Sequence, residues 1–371
     1  MTHLKGRASS GAPAGRKRSA RAARVVGTRR VGIVSTSGPV KVAMIGLGWW
    51  GRKMTAVLAK AKDDIEIVCA AEPDSAGKEF AEANGFEHYD SDAEALQHPG
   101  VEAIIFATPH SLHAGQIARA VAAKKHIFCE KPLALTGKEA EAAVDACAKN
   151  KLVLGTGHER RFEPPVAQML TMARSGLLGR IQQVEGNFSH DKFTALAPGN
   201  WRLDESEAPV GGMTATGIHL TDLATALLGQ ARDVRVSCES LSSRIPQGDT
   251  VSLHIRFKGG GTAYVSASLA MPFVSRFAVY GSRGWIDIRD KAHVEAPAGW
   301  VVTAAMAGGP ITVTEVPPAE PVKDNLVAFA RAIRGEALYP ITGEDLVNNI
   351  TILEATIKSA ASDGAVVKVL N

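Results

Sequence analysis

Apolar and polar positions follow two different patterns along the chain, and the pattern changes near residue 160. From residue 40 onward, short apolar runs that are typical of buried strands alternate with stretches of helical periodicity. The predicted strands are 40–45, 65–70, 103–107, 126–129 and 152–154, with helices between them such as 137–149. Strict alternation of strand and helix predicts right-handed crossovers and a doubly wound parallel sheet with helices on both faces.

A different pattern follows Pro164 and Pro165. One helical stretch, 166–174, precedes segments in which apolar and polar residues alternate, as in antiparallel strands with one buried face. The predicted strands are 181–188, 234–238, 251–257, 261–267, 277–280, 285–289 and a closing 366–370, and the late helices are 322–334 and 343–362. We therefore predict an α/β protein with two domains. Residues 40–160 would form the parallel sheet, and residues 161–371 a large, open, mostly antiparallel sheet whose C-terminal helices could pack back on the first domain.

The composition excludes several classes of protein. The chain has 371 residues, 45% of them hydrophobic and 22% charged, which suits about two domains with sizeable cores. No apolar run approaches the roughly 18 to 20 residues that a membrane-spanning helix needs. The four cysteines are far apart and lack metal-ligand spacing. We therefore expect a cytoplasmic protein with reduced cysteines, no structural metal and no membrane association.

The positive charge is concentrated at the N-terminus. Residues 1–39 hold nine of the 42 Lys and Arg residues and no acidic residue, which leaves 33 basic against 38 acidic residues, a net charge of −5, in the remainder. The remainder therefore gives no general reason to bind nucleic acid. We predict that residues 1–39 are a disordered basic extension. The alternatives are a twin-arginine export signal at 28–30, an organelle transit peptide, a nucleic-acid tether and a translation start assigned too early.

A G-x-G-x-x-G motif follows the first predicted strand and opens a helix. Gly46 would allow the tight turn, Gly48 the approach of a pyrophosphate to the backbone, and Gly51 close packing of helix on strand. Glu72 ends the second strand, where a carboxylate binds ribose hydroxyls and repels a 2′-phosphate. The motif thus predicts binding of NAD rather than NADP. Asp74 is a second candidate for the ribose contact or, alternatively, the cap of the following helix.

Two further segments end strands of the predicted parallel sheet, where side chains border the ligand crevice. Thr108, Pro109 and His113 follow the third strand, and Glu130 and Lys131 follow the fourth. We expect these residues to contact the cofactor. An ammonium group near a cationic nicotinamide ring would have a lowered pKa, so Lys131 could exchange a proton near neutral pH. The alternative for Glu130 and Lys131 is a surface ion pair.

Aromatic and basic residues could form walls of this site. Trp49 and Trp50 lie within the glycine motif, where they would either cover the pyrophosphate or pack between the domains. Trp201 and Arg202 could stack on a sugar and hydrogen-bond with it, or could be ordinary surface residues. His219 follows a glycine-rich turn and precedes a helical stretch, and an imidazole can take an alcohol proton near pH 7.

Five motifs occur in an order that resembles the glucose-fructose oxidoreductase, inositol dehydrogenase and MocA family. They are G-x-G-x-x-G at 46–51, Thr-Pro-x-x-x-His at 108–113, Glu-Lys-Pro at 130–132, Gly-Gly at 211–212 and Gly-Ile-His at 217–219. The resemblance covers about residues 40–370. It implies a Rossmann domain, an open-sheet domain often used for dimers or tetramers, and NAD(P)-dependent oxidation or reduction of sugars, cyclitols, related polyols or sugar acids. It also implies that Lys131 and His219 transfer protons together and that Arg160 contacts substrate.

The chain departs from this family at one position. Members commonly carry an aspartate four residues before the histidine, and that residue here is Ala215. A nearby carboxylate would orient the histidine and raise its pKa, so its absence makes Lys131 the main expected proton-transfer group. Two alternatives to a dehydrogenase therefore stay open. One is a non-catalytic dinucleotide-binding sensor, and the other is an enzyme of redox-neutral sugar elimination or glycoside cleavage.

Overall fold

Two β-sheets organise residues 38–370, the part of the chain that this computed structural model describes. The first sheet is entirely parallel. Its strands are β1 (Val40–Ile45), β2 (Ile65–Ala71), β3 (Glu87–Tyr89), β4 (Ala103–Phe106), β5 (His126–Cys129) and β6 (Leu154–Thr156). They lie in the order β3-β2-β1-β4-β5-β6, so the chain changes direction across the sheet between β1 and β4. A crevice opens at such a switch point, at the carboxyl ends of the strands. The predicted doubly wound sheet is confirmed.

Helices cover both faces of the first sheet. The connections between its strands contain α1 (Trp49–Leu58), α2 (Ser75–Ala83), α3 (Asp92–Ala95), α4 (His113–Ala122) and α5 (Gly137–Asn150). A C-terminal helix, α8 (Pro321–Ile333), joins α1 on one face, where Leu326 and Phe329 are buried with Met44. Helices α4 and α5 cover the other face. A C-terminal helix thus packs back on the first sheet.

The second sheet is mixed and has one face free of helices from the described chain. Its strands are β7 (Ile181–Ser189), β8 (Ala231–Glu239), β9 (Thr250–Phe257), β10 (Thr262–Ser268), β11 (Val274–Gly281), β12 (Gly284–Asp290), β13 (Trp300–Met306), β14 (Thr312–Val316) and β15 (Val367–Lys368). Their order is β14-β13-β12-β11-β7-β10-β9-β8-β15. Only β7 and β10 pair in parallel within this described sheet. The helices packed on it are α6 (Pro164–Arg174), α7 (Ile218–Leu228) and α9 (Gly343–Ala360). The open face carries ion pairs of Arg276 with Glu185 and Asp287.

Some predicted boundaries were wrong. The strand placed at 152–154 begins only at Leu154, because Lys151 ends α5 in a left-handed conformation and Leu152 still bonds back to the carbonyl of Cys147. The short strand β3 and the pair β13 and β14 were not predicted. The side chains of β14 are mostly exposed, so its sequence lacks the apolar run of a buried strand.

The glycine-rich segment before His219 is helical rather than a turn. Residues 211–212 are helical and lead into a π-helical turn, Met213–Gly217, which continues directly into α7. A Cβ on Gly211 would lie 2.7 Å from the carbonyl oxygen of Gly248, and one on Gly212 would lie 3.0 Å from that of Ala267. These glycines therefore permit close approach of the helix to neighbouring backbone, which is a different use from allowing a turn.

Three further predictions concern the N-terminal extension, the cysteines and membrane-spanning helices. The predicted basic extension, residues 1–39, lies outside the described residues except for its last two. The four cysteines, Cys69, Cys129, Cys147 and Cys238, are free thiols. None of the helices within residues 38–370 is long and apolar enough to cross a membrane.

A buried guanidinium joins the segment after β6 to two helices. Arg161 donates to both carboxylate oxygens of Asp222 on α7, each at 2.7 Å, and to Asp345 on α9 at 3.1 Å. The side chains of Arg161 and Asp222 are almost completely buried. Because an unpaired buried charge is costly, the two helices and this segment are held in one arrangement.

We predict that Arg161→Met lowers the free energy of unfolding by about 3 to 5 kcal/mol, because it leaves buried carboxylates without a partner. The matched control is Arg289→Met, since Arg289 pairs with Asp287 while 58% of its side chain is exposed. An exposed pair contributes at most about 1 kcal/mol. Urea unfolding followed by circular dichroism measures both variants. Equal losses in the two would contradict the structural role given to Arg161.

Candidate active site

The glycine motif forms an open cradle at the start of α1. Gly46 has a φ of +91°, and a Cβ there would lie 2.6 Å from the carbonyl oxygen of Ala107, so this position requires glycine. A Cβ on Gly51 would collide with the carbonyl of Gly46. Gly48 is the N-cap of α1, and a Cβ added there would meet no atom within 4 Å. The space beside Gly48 at the N-terminus of α1 is therefore open, which fits the pyrophosphate of a dinucleotide.

Glu72 lies beside this cradle, at the end of β2. Its Oε2 accepts a hydrogen bond from the backbone N–H of Leu47 at 2.7 Å. The carboxylate is thus fixed next to the glycine loop, where a ribose would bind. Asp74 instead accepts a hydrogen bond from the N–H of Gly77 at 2.5 Å and caps α2. Of the two roles predicted for Asp74, the structure therefore shows the helix cap.

A cavity of about 340 Å³ lies where the carboxyl ends of the parallel strands meet the π-helical turn and loops of the second sheet. Eight of the predicted site residues line it: Trp49, Trp50, Thr108, Glu130, Lys131, Trp201, Arg202 and His219. The three motif glycines and Glu72 lie outside the lining, around the cradle described above. The structure therefore brings the two predicted proton-transfer residues into one cavity, with Trp49 and Trp50 joining it to the glycine loop.

Lys131 spans the cavity floor from the end of β5 to the π-helical turn. Its Nζ donates to the backbone carbonyls of Thr214 at 3.1 Å and Ala215 at 2.6 Å. Burial lowers the pKa of Lys131, while the nearby carboxyl groups of Glu130 and Glu159 act in the opposite direction. A π-helical turn bonds each N–H to the fifth preceding carbonyl and is frequent at functional sites. Here it supplies two acceptors that orient the amine.

His219 lies in the first turn of α7 and lines the same cavity, although its side chain is only 6% exposed. Burial, together with the positive charge of Lys131, holds its pKa well below the ordinary value. An imidazole whose pKa is lowered in this way is neutral at pH 7. Its Nδ1 is buried and hydrogen-bonds to no atom among residues 38–370.

Glu159 is a cavity residue that the sequence analysis missed. It follows β6, and its Oε2 lies 3.6 Å from Nδ1 of His219. Burial raises its pKa to about 8, and the nearby carboxyl group of Glu130 adds to the effect. In the sequence, Glu159 precedes Arg160 and Arg161 and looks like part of an exposed charged run. Its position just beyond a parallel strand was the available signal, because all such strand ends border the crevice.

The cavity walls are aromatic and basic. The guanidinium of Arg202 stacks on Trp201 at 4.2 Å and lies 5.8 Å from the ring of Trp49. Trp201 in turn packs edge-on against His110. Burial lowers the pKa of Arg202 to about 10, so it still carries its charge at neutral pH. Further wall residues that the sequence did not indicate are Phe188, His190, Lys192, His293 and Glu295, contributed by β7 and by loops of the second sheet.

Three further predicted site residues also lie outside the cavity lining. Pro109 is one of them. His113 is buried, with its two ring nitrogens 2.8 Å and 3.1 Å from the carbonyl oxygens of Pro132 and Thr108, so it joins the loops after β4 and β5. The third of these residues is Arg160.

Arg160 is buried behind the cavity wall, and its predicted contact with substrate finds no support in this position. It donates to Ser275 at 2.6 Å, to Asp290 at 3.1 Å and to Glu163 at 3.3 Å. These bonds hold the segment after β6 against β11 and β12. The arginine thus positions the wall of the cavity.

Comparison with known families agrees with this arrangement. Residues 40–158 match the family model described as the oxidoreductase family with an NAD-binding Rossmann fold, and residues 166–287 match the GFO/IDH/MocA C-terminal domain. The chain belongs to the GFO/IDH/MocA oxidoreductase family. The predicted resemblance to this family is therefore confirmed, and with it the α/β fold class.

The chain is also similar to individual proteins of known sequence or structure. The chain is 29% identical over 293 residues to 1,5-anhydro-D-fructose reductase of Ensifer adhaerens, covering 78% of this chain and 86% of the relative. It is 29% identical over 264 residues to scyllo-inositol 2-dehydrogenase (NAD(+)) of Bacillus subtilis strain 168, covering 68% and 75%. The crystal structure of an oxidoreductase from Desulfitobacterium hafniense DCB-2 superposes with a TM-score of 0.80 at 22% identity, covering 90% of this chain and 99% of the other, which shows a shared fold.

We predict that Gly48→Ala folds normally but binds NADH at least about tenfold more weakly, because its methyl group would stand where the pyrophosphate approaches the backbone. The φ of −66° and the open space at Gly48 make the substitution free of strain. Gly309→Ala, in the turn between β13 and β14, is the control and should bind normally. Calorimetric titration with NADH and a thermal melt measure binding and folding separately. Unchanged affinity would show that the dinucleotide does not lie against this loop.

Proposed function

We propose that this protein is an NAD-dependent oxidoreductase that transfers a hydride between nicotinamide and a hydroxyl-bearing carbon of a sugar, cyclitol or related polyol or sugar acid. The single observation that supports it most is the meeting of Lys131 and His219 in one cavity, next to a glycine cradle suited to a dinucleotide. Family membership and the names of its relatives agree with this class of reaction.

In this proposal Lys131 and His219 act together in proton transfer at the reacting oxygen of the substrate. Nicotinamide supplies the hydride acceptor or donor when it is bound. The two carbonyls that hold Nζ fix the amine toward the cavity, and burial favours its neutral form, which can accept a proton from a hydroxyl group. His219 is neutral and offers a second ring nitrogen for hydrogen bonding to the same oxygen. Trp201 and Arg202 provide a stacking and hydrogen-bonding wall for a polyol.

The preference for NAD over NADP rests on Glu72. Its carboxylate is anchored by Leu47 and stands beside the cradle, where it can accept hydrogen bonds from the ribose hydroxyls. A 2′-phosphate at the same place would be repelled. The relatives do not decide this point, since a scyllo-inositol 2-dehydrogenase is named with NAD(+) and a D-xylose 1-dehydrogenase with NADP(+).

The direct test is a spectrophotometric screen at 340 nm with NAD and NADP, and with their reduced forms. The substrates would be scyllo-inositol, myo-inositol, 1,5-anhydro-D-fructose, common aldoses and sugar acids. Formation or consumption of NADH with at least one of them is expected. Tight binding of NADH without turnover of any substrate would favour the sensor, and conversion of a sugar without net NADH would favour redox-neutral chemistry.

We predict that Lys131→Met lowers turnover by about two to four powers of ten, the usual loss when a general acid–base group is removed. Affinity for NADH should stay within about threefold of the wild-type value, because the substitution leaves the glycine cradle at 46–51 intact. Lys149→Met, at an exposed site on α5, is the control. Steady-state rates and calorimetric titration measure the two effects. Retained turnover would remove Lys131 from the mechanism.

We also predict that the ratio of the dissociation constants for NADPH and NADH is at least about 10 and falls to about 1 to 3 in Glu72→Gln. Glutamine keeps an oxygen for the N–H of Leu47 but removes the charge that repels a 2′-phosphate. Asp74→Asn is the control, since asparagine also caps a helix and should leave the ratio unchanged. Fluorescence titrations measure the constants. An equal ratio in wild type and Glu72→Gln would mean that another group selects the coenzyme.

A further inference from the structure

The carboxyl group of Glu159 faces a ring nitrogen that has no other bonding partner. Oε2 lies 3.6 Å from Nδ1 of His219, and both side chains are only 6% exposed. Within the described chain, this Nδ1 is buried without a hydrogen bond. The separation is somewhat longer than a hydrogen bond, as is common for catalytic pairs in ligand-free sites, which tighten when substrate binds.

The other neighbours of the ring make no hydrogen bond to its Nδ1 within residues 38–370. His158 packs edge-on against His219 with the ring centres 5.6 Å apart; its Nε2 is 3.2 Å from the side-chain amide of Asn349, and its own Nδ1 is likewise unbonded within these residues. Phe188 contributes a tilted ring 6.1 Å away and no polar atom. Glu159 is therefore the polar group placed to bond Nδ1.

The sequence around His219 contains no substitute. The residue four positions earlier, Ala215, has no polar side chain, and its backbone carbonyl is bound by Lys131. Glu159 approaches the ring of His219 from the segment that follows β6. A carboxyl group absent at position 215 is thus present beside the ring, on a residue 60 positions before His219 in the sequence.

We propose that Glu159 is a positioning residue that selects the tautomer of His219 and exchanges a proton with its Nδ1. This inference rests on the proposed oxidoreductase function. When Glu159 is ionised, it accepts the proton of Nδ1 in a hydrogen bond, and Nε2 is left as a base. When Glu159 is protonated, it donates to Nδ1, and Nε2 carries the proton that a substrate carbonyl can accept.

The proton balance of the reaction follows from these two states. In the reducing direction, the substrate carbon gains a hydride from the reduced dinucleotide and its oxygen takes the proton of Nε2. Nδ1 then takes the proton of the Glu159 carboxyl group, which becomes a carboxylate. In the oxidising direction the same proton returns by the reverse path, so the ring stays neutral overall and Glu159 stores the proton.

The charges around the pair favour the protonated state of Glu159 near neutral pH. Burial and Glu130 raise the pKa of Glu159, whereas Lys131 and Arg160 act against this shift. Burial lowers the pKa of His219, and the positive charges that nearby side chains can carry lower it further. These nearby side chains are Lys131, His158, Arg160 and His293. The pair should therefore favour reduction near pH 7 and oxidation as the pH rises above the pKa of Glu159.

Nuclear magnetic resonance of the protein labelled with ¹⁵N-histidine tests the tautomer directly, without substrate or coenzyme. His219 is assigned among the 11 histidines by comparison with His219→Asn. Between pH 6 and 10, we expect its two ring nitrogens to shift in opposite directions, as a change of tautomer requires. Protonation of the ring would instead bring the two nitrogens to nearly the same chemical shift, since both then carry a proton. The transition should be absent in Glu159→Gln and present in Glu159→Asp.

Glu163→Gln is the matched control, because Glu163 is a buried carboxyl group of the same segment that bonds Arg160 instead of His219. It should leave the His219 transition unchanged. If the wild type and Glu159→Gln give the same His219 titration, the inference is overturned. Loss of the transition in Glu163→Gln as well would also overturn it, since the effect would then be a general one of the segment.

Kinetics with a substrate found in the screen give a second readout. Glu159→Gln should lower kcat about 10- to 100-fold with KM within about threefold, and should remove the pH dependence of the ratio of reductive to oxidative rates. In the His219→Asn background the same change should cost less than about twofold, because its partner is absent. An equal loss in both backgrounds would overturn the inference. Absence of any turnover would instead count against the oxidoreductase proposal, while the resonance result would stand by itself.

Discussion

The geometry of the candidate active site depends on one buried ion pair, between Arg161 and Asp222. The guanidinium belongs to the short segment after β6, two residues from Glu159, and the carboxylate belongs to α7, three residues after His219. Breaking such a pair is costly, so the two segments have one stable relative position. Glu159 is thereby held against the imidazole, although the two residues come from elements that pack on different sheets.

Much of the fold could be predicted because hydrophobic periodicity reports burial directly. The strands of the first sheet are buried on both faces, and the strands around β7 on one face, so their patterns are clear. The strand β14 is exposed and β3 has three residues, so neither leaves a readable pattern. The helical conformation of residues 211–217 could not be predicted from the sequence, for another reason. Glycine there serves close packing against the backbone of Gly248 and Ala267, and sequence alone cannot separate that use from a turn.

The candidate site was predictable where its residues belong to local motifs and not where they meet through tertiary packing. Lys131 and the glycine cradle follow from strand ends and spacing. The pairing of Glu159 with His219 does not, because it arises from the approach of a segment of the first half to a helix of the second. For Arg160 the family resemblance implied a substrate contact, whereas in the structure its partners Asp290 and Glu163 hold the side chain in the protein interior.

The π-helical turn at 213–217 makes the candidate active site sensitive to the deletion of one residue in this segment. Such a turn differs from a regular helix by one inserted residue. Loss of a single codon there would restore α-helical geometry and rotate everything upstream by roughly 100° relative to His219. The two carbonyls that hold Lys131 would then point elsewhere, although every chemically active side chain would still be encoded. In this stretch, the number of residues carries information that their identities do not.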